Sequence, residues 1–332
     1  MAVLLAAGCS ALDGAETLRV YAIDVEGGKA TLYVSPGGES LLVDAGYAGA
    51  ANRDANRIAA AAKDAGVKQI DYLVVTHFHK DHMGGVPQLS AILPIRHFLD
   101  HGPTFETAKD VQGDYDAYLE VRKKGEYSVL KAGDRVPIQG IQVDVVTAAG
   151  HAIERPLPGG GQKNATCSSF EAIQPDTGEN AHSIGIVIRY GKFRLADLGD
   201  LYWNQEYDLA CPVNKLGPVD VYMTTHHAKK TSVSPQSVWS LHPKVAIMNN
   251  GPHTGADPRA WTTIRSSPGL EGLWQLHQAL GNDQQHNVTE PYIANPAEHC
   301  EGKWILLAAR PDGSFTVTNS RNGFERKYGS SF

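Results

Sequence analysis

The chain has 332 residues, 42% of them hydrophobic, with 30 Lys and Arg against 36 Asp and Glu for a formal charge of -6. That is ample material for a core. It offers no broad basic face for a phosphate backbone, which argues against long nucleic acid as a partner, and no apolar run reaches the roughly eighteen residues that a bilayer span requires.

The first ten residues, MAVLLAAGCS, are apolar and rich in small side chains. They resemble the end of a bacterial lipoprotein signal with Cys9 as the lipidated residue, which implies an exported protein, periplasmic or anchored to a membrane; a disordered tail on a cytoplasmic protein is the alternative. Cys9, Cys167, Cys211 and Cys300 are widely separated and form no metal-type pair. One disulfide can form among the last three, and their spacing does not choose it.

Apolar strands are predicted at residues 20–25, 30–34 and 41–43, with turns at Gly27-Gly28 and Pro36-Gly37-Gly38. The third strand ends in Asp44-Ala45-Gly46. A carboxylate there either buttresses a nearby site or simply forms the turn. Residues 53–65 are alanine-rich and stop at Gly66, which predicts a helix with a left-handed terminator. A strand at 72–75 follows, so strand, helix and strand imply a parallel neighbour reached by a right-handed crossover.

That strand delivers the densest chemistry in the chain, Thr76-His77-Phe78-His79-Lys80-Asp81-His82, in which three histidines and a carboxylate occupy residues 77–82. Side chains alternate along an extended segment, so His77 and His79 can point the same way, and a turn brings Asp81 and His82 round to face them. Imidazoles with a carboxylate suit zinc, and iron or manganese would also accept nitrogen and oxygen donors. A short helix at 86–93 and a strand at 95–99 come next, ending at Asp100-His101-Gly102, where His101 is expected at the pocket rim or on a surface turn. Residues 103–128 carry an amphipathic pattern around 111–124 that reads as a lid or cap, before strands at 136–138 and 141–146. The long loop at 150–180 is expected to serve an active site.

The second half offers further donors at strand ends. His182-Ser183-Ile184-Gly185 opens a hairpin of strands 184–190 and 193–198, closing on Gly199-Asp200, with Asp197 a weaker candidate. A strand at 219–225 ends in His226-His227. Past residue 255, Trp261, Trp274 and His277 read as parts of helical turns with the tryptophans in the core, and 304–309 with 315–319 reads as a closing hairpin around Pro311-Asp312-Gly313.

The run His-x-His-x-Asp-His followed by Gly84-Gly85, with the His-Ser-x-Gly and Gly-Asp segments, resembles the metallo-β-lactamase superfamily. Residues 20–46, the pair His226-His227 and Met248-Asn249-Asn250-Gly251 most resemble the hydrolase domain of bacterial DNA-uptake channel proteins and related exported hydrolases, over roughly residues 18–255. Ala228-Lys229-Lys230 stands where that group has Gly after the paired histidines, and DNA uptake itself is not carried over.

The resemblance implies one αββα sandwich over residues 18–332, with a loop or cap insertion at about 102–180 and residues 1–17 outside it. It implies a dinuclear zinc hydrolase, with Mn2+ or Fe2+ as alternatives. One metal would take His77, His79 and His182, the other Asp81, His82 and His226, with Asp200 between them and Asp44 orienting the metal-binding loop. Asn180-Ala181-His182-Ser183 also satisfies an Asn-x-x-Ser pattern of the DNA-uptake branch that has no metal histidine, so the role of His182 stays open. A water shared by two cations becomes the nucleophile; Asp81 and His227 are the catalytic candidates, and Lys229, Lys230 and His253 are further ones for a leaving group or an anionic substrate. The expected partner is a small-molecule substrate, a phosphoester first. A lactone, β-lactam or thioester is the alternative, and a non-catalytic zinc protein the contrasting class.

Overall fold

The structure is a computed structural model that describes residues 17–106 and 109–330. Cys9 lies outside the described residues. Two nine-stranded sheets dominate them. Across the first the order is Glu325–Tyr328, Phe315–Asn319, Trp304–Ala309, Leu18–Ile23, Thr31–Val34, Ser40–Val43, Ile70–Val74, Ile95–Asp100 and Glu126–Val129. Across the second it is Ile293–Asn295, Gly272–His277, Val245–Met248, Val221–Met223, Phe193–Asp197, Gly185–Tyr190, Gln142–Ala148 and Arg135–Val136, with His151–Ala152 beside Gln142–Ala148.

Three apolar clusters stack these elements into four layers. Val20, Tyr33, Leu41 and Val74 of the first sheet meet Val145, Ile186, Leu195 and Val221 of the second in the central core. On the outer face of the first sheet, helix Arg53–Asp64 buries Ala55, Ile58, Ala61 and Ala62, a stripe at helical spacing, and ends before Gly66 at φ 74°. Helices Trp203–Ala210, Pro235–Leu241 and Pro258–Arg265 cover the second sheet through Leu209, Val238, Leu241, Ala260 and Ile264. This is the expected αββα sandwich. Strands Ser40–Val43 and Ile70–Val74 run parallel in register Leu41 to Tyr72, as the helical crossover between them requires. No described helix is long and apolar enough to cross a membrane.

Three expectations change. Trp274 and His277 lie on strand Gly272–His277, not in helical turns; all six of its residues are buried, and a parallel strand covered on both faces loses the alternation that would mark it. Helix Lys109–Arg122 is no lid. It packs Val111, Tyr118 and Val121 into the outer core, and the Tyr118 hydroxyl donates to Asp100 Oδ2 at 2.7 Å. Strand Gln142–Ala148 likewise belongs to the second sheet, so of the stretch read as an insertion the irregular part is about 149–180. A Cys167–Cys211 disulfide ties that part to helix Trp203–Ala210, and Cys300 is a free thiol.

Trp274 is fully buried and donates from Nε1 to Tyr328 Oη at 3.2 Å, joining the second sheet to the edge strand of the first. Trp274→Ala should therefore destabilise the protein by about 3–5 kcal/mol, read from urea unfolding; a loss under about 1 kcal/mol would mean the sheets do not depend on this contact.

Candidate metal centre

The donors gather where strands of both sheets end. Strand Ile70–Val74 releases the chain into Thr76-His77-Phe78-His79, and helix Lys80–Met83 turns Asp81 and His82 back towards it. Close backbone packing fixes this loop. A Cβ on Gly28 would stand 2.4 Å from the Asp81 carbonyl oxygen, and one on Gly85 2.0 Å from that of Ala45, so neither position admits a side chain.

Asp44 ends strand Ser40–Val43 with φ 62° and is fully buried. It accepts from Thr76 N at 2.7 Å, from Thr76 Oγ1 at 2.8 Å and from His82 Nδ1 at 2.7 Å. With its Nδ1 proton given to Asp44, His82 turns Nε2 inward. His227 is set the same way, since its Nδ1 faces the Asn249 carbonyl at 3.2 Å. His82 Nε2 and His227 Nε2 each stand 3.3 Å from Asp200 Oδ2, and His227 Nε2 is 3.4 Å from Asp81 Oδ2. Donor atoms of Asp81, His82, Asp200 and His227 all lie within 4.8 Å of one another. His82 Nε2, His227 Nε2 and Asp200 Oδ1 are buried with no hydrogen-bond partner among the described residues. Buried polar atoms are almost always satisfied, so three converging orphans fit a cation that all of them would ligate.

A second group adjoins the first. His77 Nε2 and His79 Nδ1 are 3.0 Å apart, and the His77 and His82 rings are 4.1 Å apart. His226 turns Nδ1 to Ser232 Oγ at 3.1 Å and stacks on Tyr202, which leaves Nε2 3.6 Å from Asp200 Oδ2. Consecutive histidines face different parts of the site because His226, His227 and Ala228 have φ of 51°, 53° and 60°. Gly255 makes the room: a Cβ there would stand 1.9 Å from the His227 carbonyl oxygen.

His182 takes a different position. Its ring stacks on Phe105 at 3.6 Å and Nδ1 faces the Gly178 carbonyl at 2.6 Å, and like His77, His79 and His226 it lies outside the four-residue set. Asp197 is engaged by buried Lys29 and by Tyr33 Oη, the latter at 2.9 Å. His253 pairs with Glu298 on the surface. His101 is neither at the rim nor on a surface turn; it is buried, with Nε2 3.0 Å from Glu179 Oε2. Glu179 also accepts from Phe78 N and Thr104 Oγ1, and clamps the histidine loop from beneath. Burial opposes its charge, yet His101 and the backbone donor of Phe78 bring its carboxyl down to about 2. Nothing periodic marks Glu179 in the sequence. Asn249 and Lys29, by contrast, sit in segments already singled out, without a role until the chain folds.

Charge follows the geometry. Burial pushes the His77 imidazole well below its ordinary range and His226 down to about 3, so both present lone pairs at neutral pH. For His82 and His227 burial acts the same way, but Asp200, with Asp44 and Asp81 for His82 and Asp81 for His227, outweighs it and raises both, so a cation here would take the place of a proton on each Nε2. Asp81 and Asp200 are held below the usual carboxylate range against burial, chiefly by His82 and His227. A buried and a partly buried carboxylate facing imidazoles are an anionic pocket that favours cations.

A cleft of about 310 Å³ opens over this set, lined by His79, Asp81, Asp200, Tyr202, His226, Lys229 and Lys230 among others. A larger concavity of about 930 Å³ beside His101 and His151 contains none of the donors.

Residues 23–162 match the model of the metallo-beta-lactamase superfamily. No curated protein matches the chain. Among solved structures the chain is similar to the metallo-beta-lactamase fold protein YhfI from Bacillus subtilis, at 10% identity over 78% of this chain and 96% of that one, with a TM-score of 0.49. It is similar to Igni18, a metallo hydrolase from the archaeon Ignicoccus hospitalis, at 13% identity over 77% and 94%, TM-score 0.44. It is also similar to a metallo-beta-lactamase from Cronobacter sakazakii, at 14% identity over 61% and 73%, TM-score 0.36.

Behind the site, buried Glu206 accepts from Val233 N at 2.8 Å and Ser234 N at 2.7 Å and so fixes the loop that carries Ser232. Burial raises its carboxyl from 4.5 to about 7. The folded protein thus keeps a proton that the unfolded chain releases, and stability should fall as pH rises from about 4.5 to about 7, by an amount on the order of a few kcal/mol. Glu206→Gln should flatten that part of the stability profile; an unchanged slope in thermal unfolding across the same pH range would rule out this group as its source.

Proposed function

We propose that this chain is a metallo-hydrolase of the metallo-beta-lactamase superfamily, whose model it matches over residues 23–162, and that it binds two metal ions, zinc before manganese or iron, and hydrolyses a phosphoester. The observation that carries the reading is the Asp200 carboxylate, approached by His82 and His227 at 3.3 Å and by His226 at 3.6 Å. One ion would be held by Asp81, His82 and His227 and the other by His77, His79 and His226, with Asp200 shared. His226 thereby takes the part first assigned to His182, and His227 the part first assigned to His226.

Bound metal ions supply acidified water and polarise the oxygen of the bond to be cleaved. The protein's own residues do the rest. Asp44 and the Asn249 carbonyl fix the tautomers of His82 and His227, so both rings keep Nε2 free for ligation. Asp81 is the partly exposed member of its set and faces the cleft. Tyr202 lines the same cleft and burial raises its phenol, so it remains a hydrogen-bond donor for a departing oxygen. Lys229 and Lys230 stand at the mouth and would attract an anion, which favours a phosphoester over a neutral lactone or thioester. The Cys167–Cys211 disulfide supports export to an oxidising compartment, with Cys9 as the lipid-bearing residue.

Metal-replete wild type should carry close to two transition-metal ions per chain in the site. By elemental analysis, His226→Ala should lose about one of them and His182→Ala none; the reverse pattern would return His182 to the set. Asp81→Ala should lower turnover at least about a hundredfold while circular dichroism is unchanged. A panel of chromogenic phosphate mono-, di- and triesters beside a lactone and a cephalosporin, each with and without chelator, tests the substrate. Lys229→Ala should raise KM for the anionic diester and leave the neutral triester unaffected; preference for the lactone or cephalosporin would overturn the phosphoester reading.

A further inference from the structure

A second group of donors, sharing no residue with the site above, sits where the first and second sheets meet at one end. Asp24 follows strand Leu18–Ile23, His277 closes strand Gly272–His277, and Cys300 precedes strand Trp304–Ala309, which pairs with the first. One donor atom from each lies within 4.8 Å of the other two, and Cys300 Sγ is 3.1 Å from Asp24 Oδ2. Asp24 and His277 are fully buried and Cys300 is half-buried, so the group has a way in from solvent.

His277 supplies the independent sign of a ligand. Its Nδ1 faces the Gln278 carbonyl at 3.0 Å, which places the proton there and leaves Nε2 as a lone pair. That Nε2 is buried and has no hydrogen-bond partner among the described residues, and one of the two ring nitrogens lies within 4.8 Å of the Asp24 and Cys300 donors. A fully buried imidazole nitrogen without a partner is costly, and neither the fold nor the proposed reaction uses it.

We infer that Asp24, His277 and Cys300 form a third cation site, for a divalent transition metal of the zinc type. Oxygen, nitrogen and sulfur donors with one position left to solvent suit zinc in tetrahedral coordination and exclude calcium or magnesium, which take oxygen sets. The guanidinium of Arg57 is the opposing charge. It donates to Asp24 Oδ2 at 3.1 Å, Glu26 Oε1 at 2.8 Å and the Cys300 carbonyl at 3.1 Å, and lies 3.4 Å from Cys300 Sγ. Arg53 pairs with Glu26 and with Asp54. Two arginines thus face three carboxylates, and as the arriving ion forms its bond to sulfur the Cys300 thiol gives its proton to solvent, while Asp24 and His277 add their lone pairs. Arg57 keeps Glu26 and the Cys300 carbonyl as partners throughout. The bound ion would lock the segment before strand Trp304–Ala309 to the ends of both sheets.

Cobalt(II) distinguishes this site from the other, because the donors proposed there include no thiolate. Titrating the full chain with Co2+ should give a near-ultraviolet thiolate-to-cobalt charge-transfer band that saturates with one equivalent at this site. The band should vanish in Cys300→Ser, weaken in His277→Gln, and persist in Cys9→Ser and in the Asp81→Ala, His227→Ala double variant. In unmodified protein, Zn2+ should slow alkylation of Cys300 at least tenfold, a readout that needs no variant to fold. No band in wild type, a band undiminished in Cys300→Ser, or an alkylation rate indifferent to Zn2+ would each overturn the site.

Discussion

Three hydrogen bonds to one buried carboxylate hold the functional end of this molecule together. Asp44 takes the backbone N–H and the hydroxyl of Thr76 and the Nδ1 proton of His82, and so ties the ends of two parallel strands to the ring that must face inward. Removing it would leave buried donors without acceptors, and such a deficit costs more than an ordinary hydrogen bond contributes. Glu179 repeats the device from the other side, gripping Phe78 N and His101 beneath the same loop. The histidine loop is thus suspended between two buried carboxylates, while Lys29, Asp197 and Tyr33 bridge the sheets behind it.

Much of this was legible in the residues, and the failures have physical causes. Helix Arg53–Asp64 and the hairpins Gly185–Tyr190 with Phe193–Asp197 and Trp304–Ala309 with Phe315–Asn319 announce themselves by composition, turn residues and spacing, and fold close to where they were expected. Strand Gly272–His277 did not, because burial on both faces removes the polar beats that distinguish strand from helix. The donors His77, His79, Asp81 and His82 are contiguous, so their grouping could be read locally. How His182, His226 and His227 divide among them could not. Three residues in left-handed backbone turn the last pair, and no residue preference forecasts φ above 50° for two histidines and an alanine in succession. The Asp24, His277 and Cys300 group joins one position near the start of the chain to two near its end and leaves no local trace.

The superfamily match covers residues 23–162, yet Asp200, His226 and His227 lie beyond it. The matched segment provides the histidine loop and its Asp44 anchor, and the unmatched remainder provides the opposing wall. Neither part encloses the site alone, because the central core interleaves Tyr33 and Val74 from one with Ile186 and Val221 from the other.

The backbone from His226 to Ala228 carries one more consequence. Each non-glycine residue held left-handed costs on the order of 1 kcal/mol or more, and here the cost is met by the packing of Gly255 and by hydrogen bonds from Ala256 N and Asp257 N to the carbonyls of His227 and Ala228. The backbone itself, rather than side-chain rotation alone, therefore aims the two rings. A segment fixed in this way has little chain entropy left to lose around a ligand, so the penalty of ordering it falls on folding.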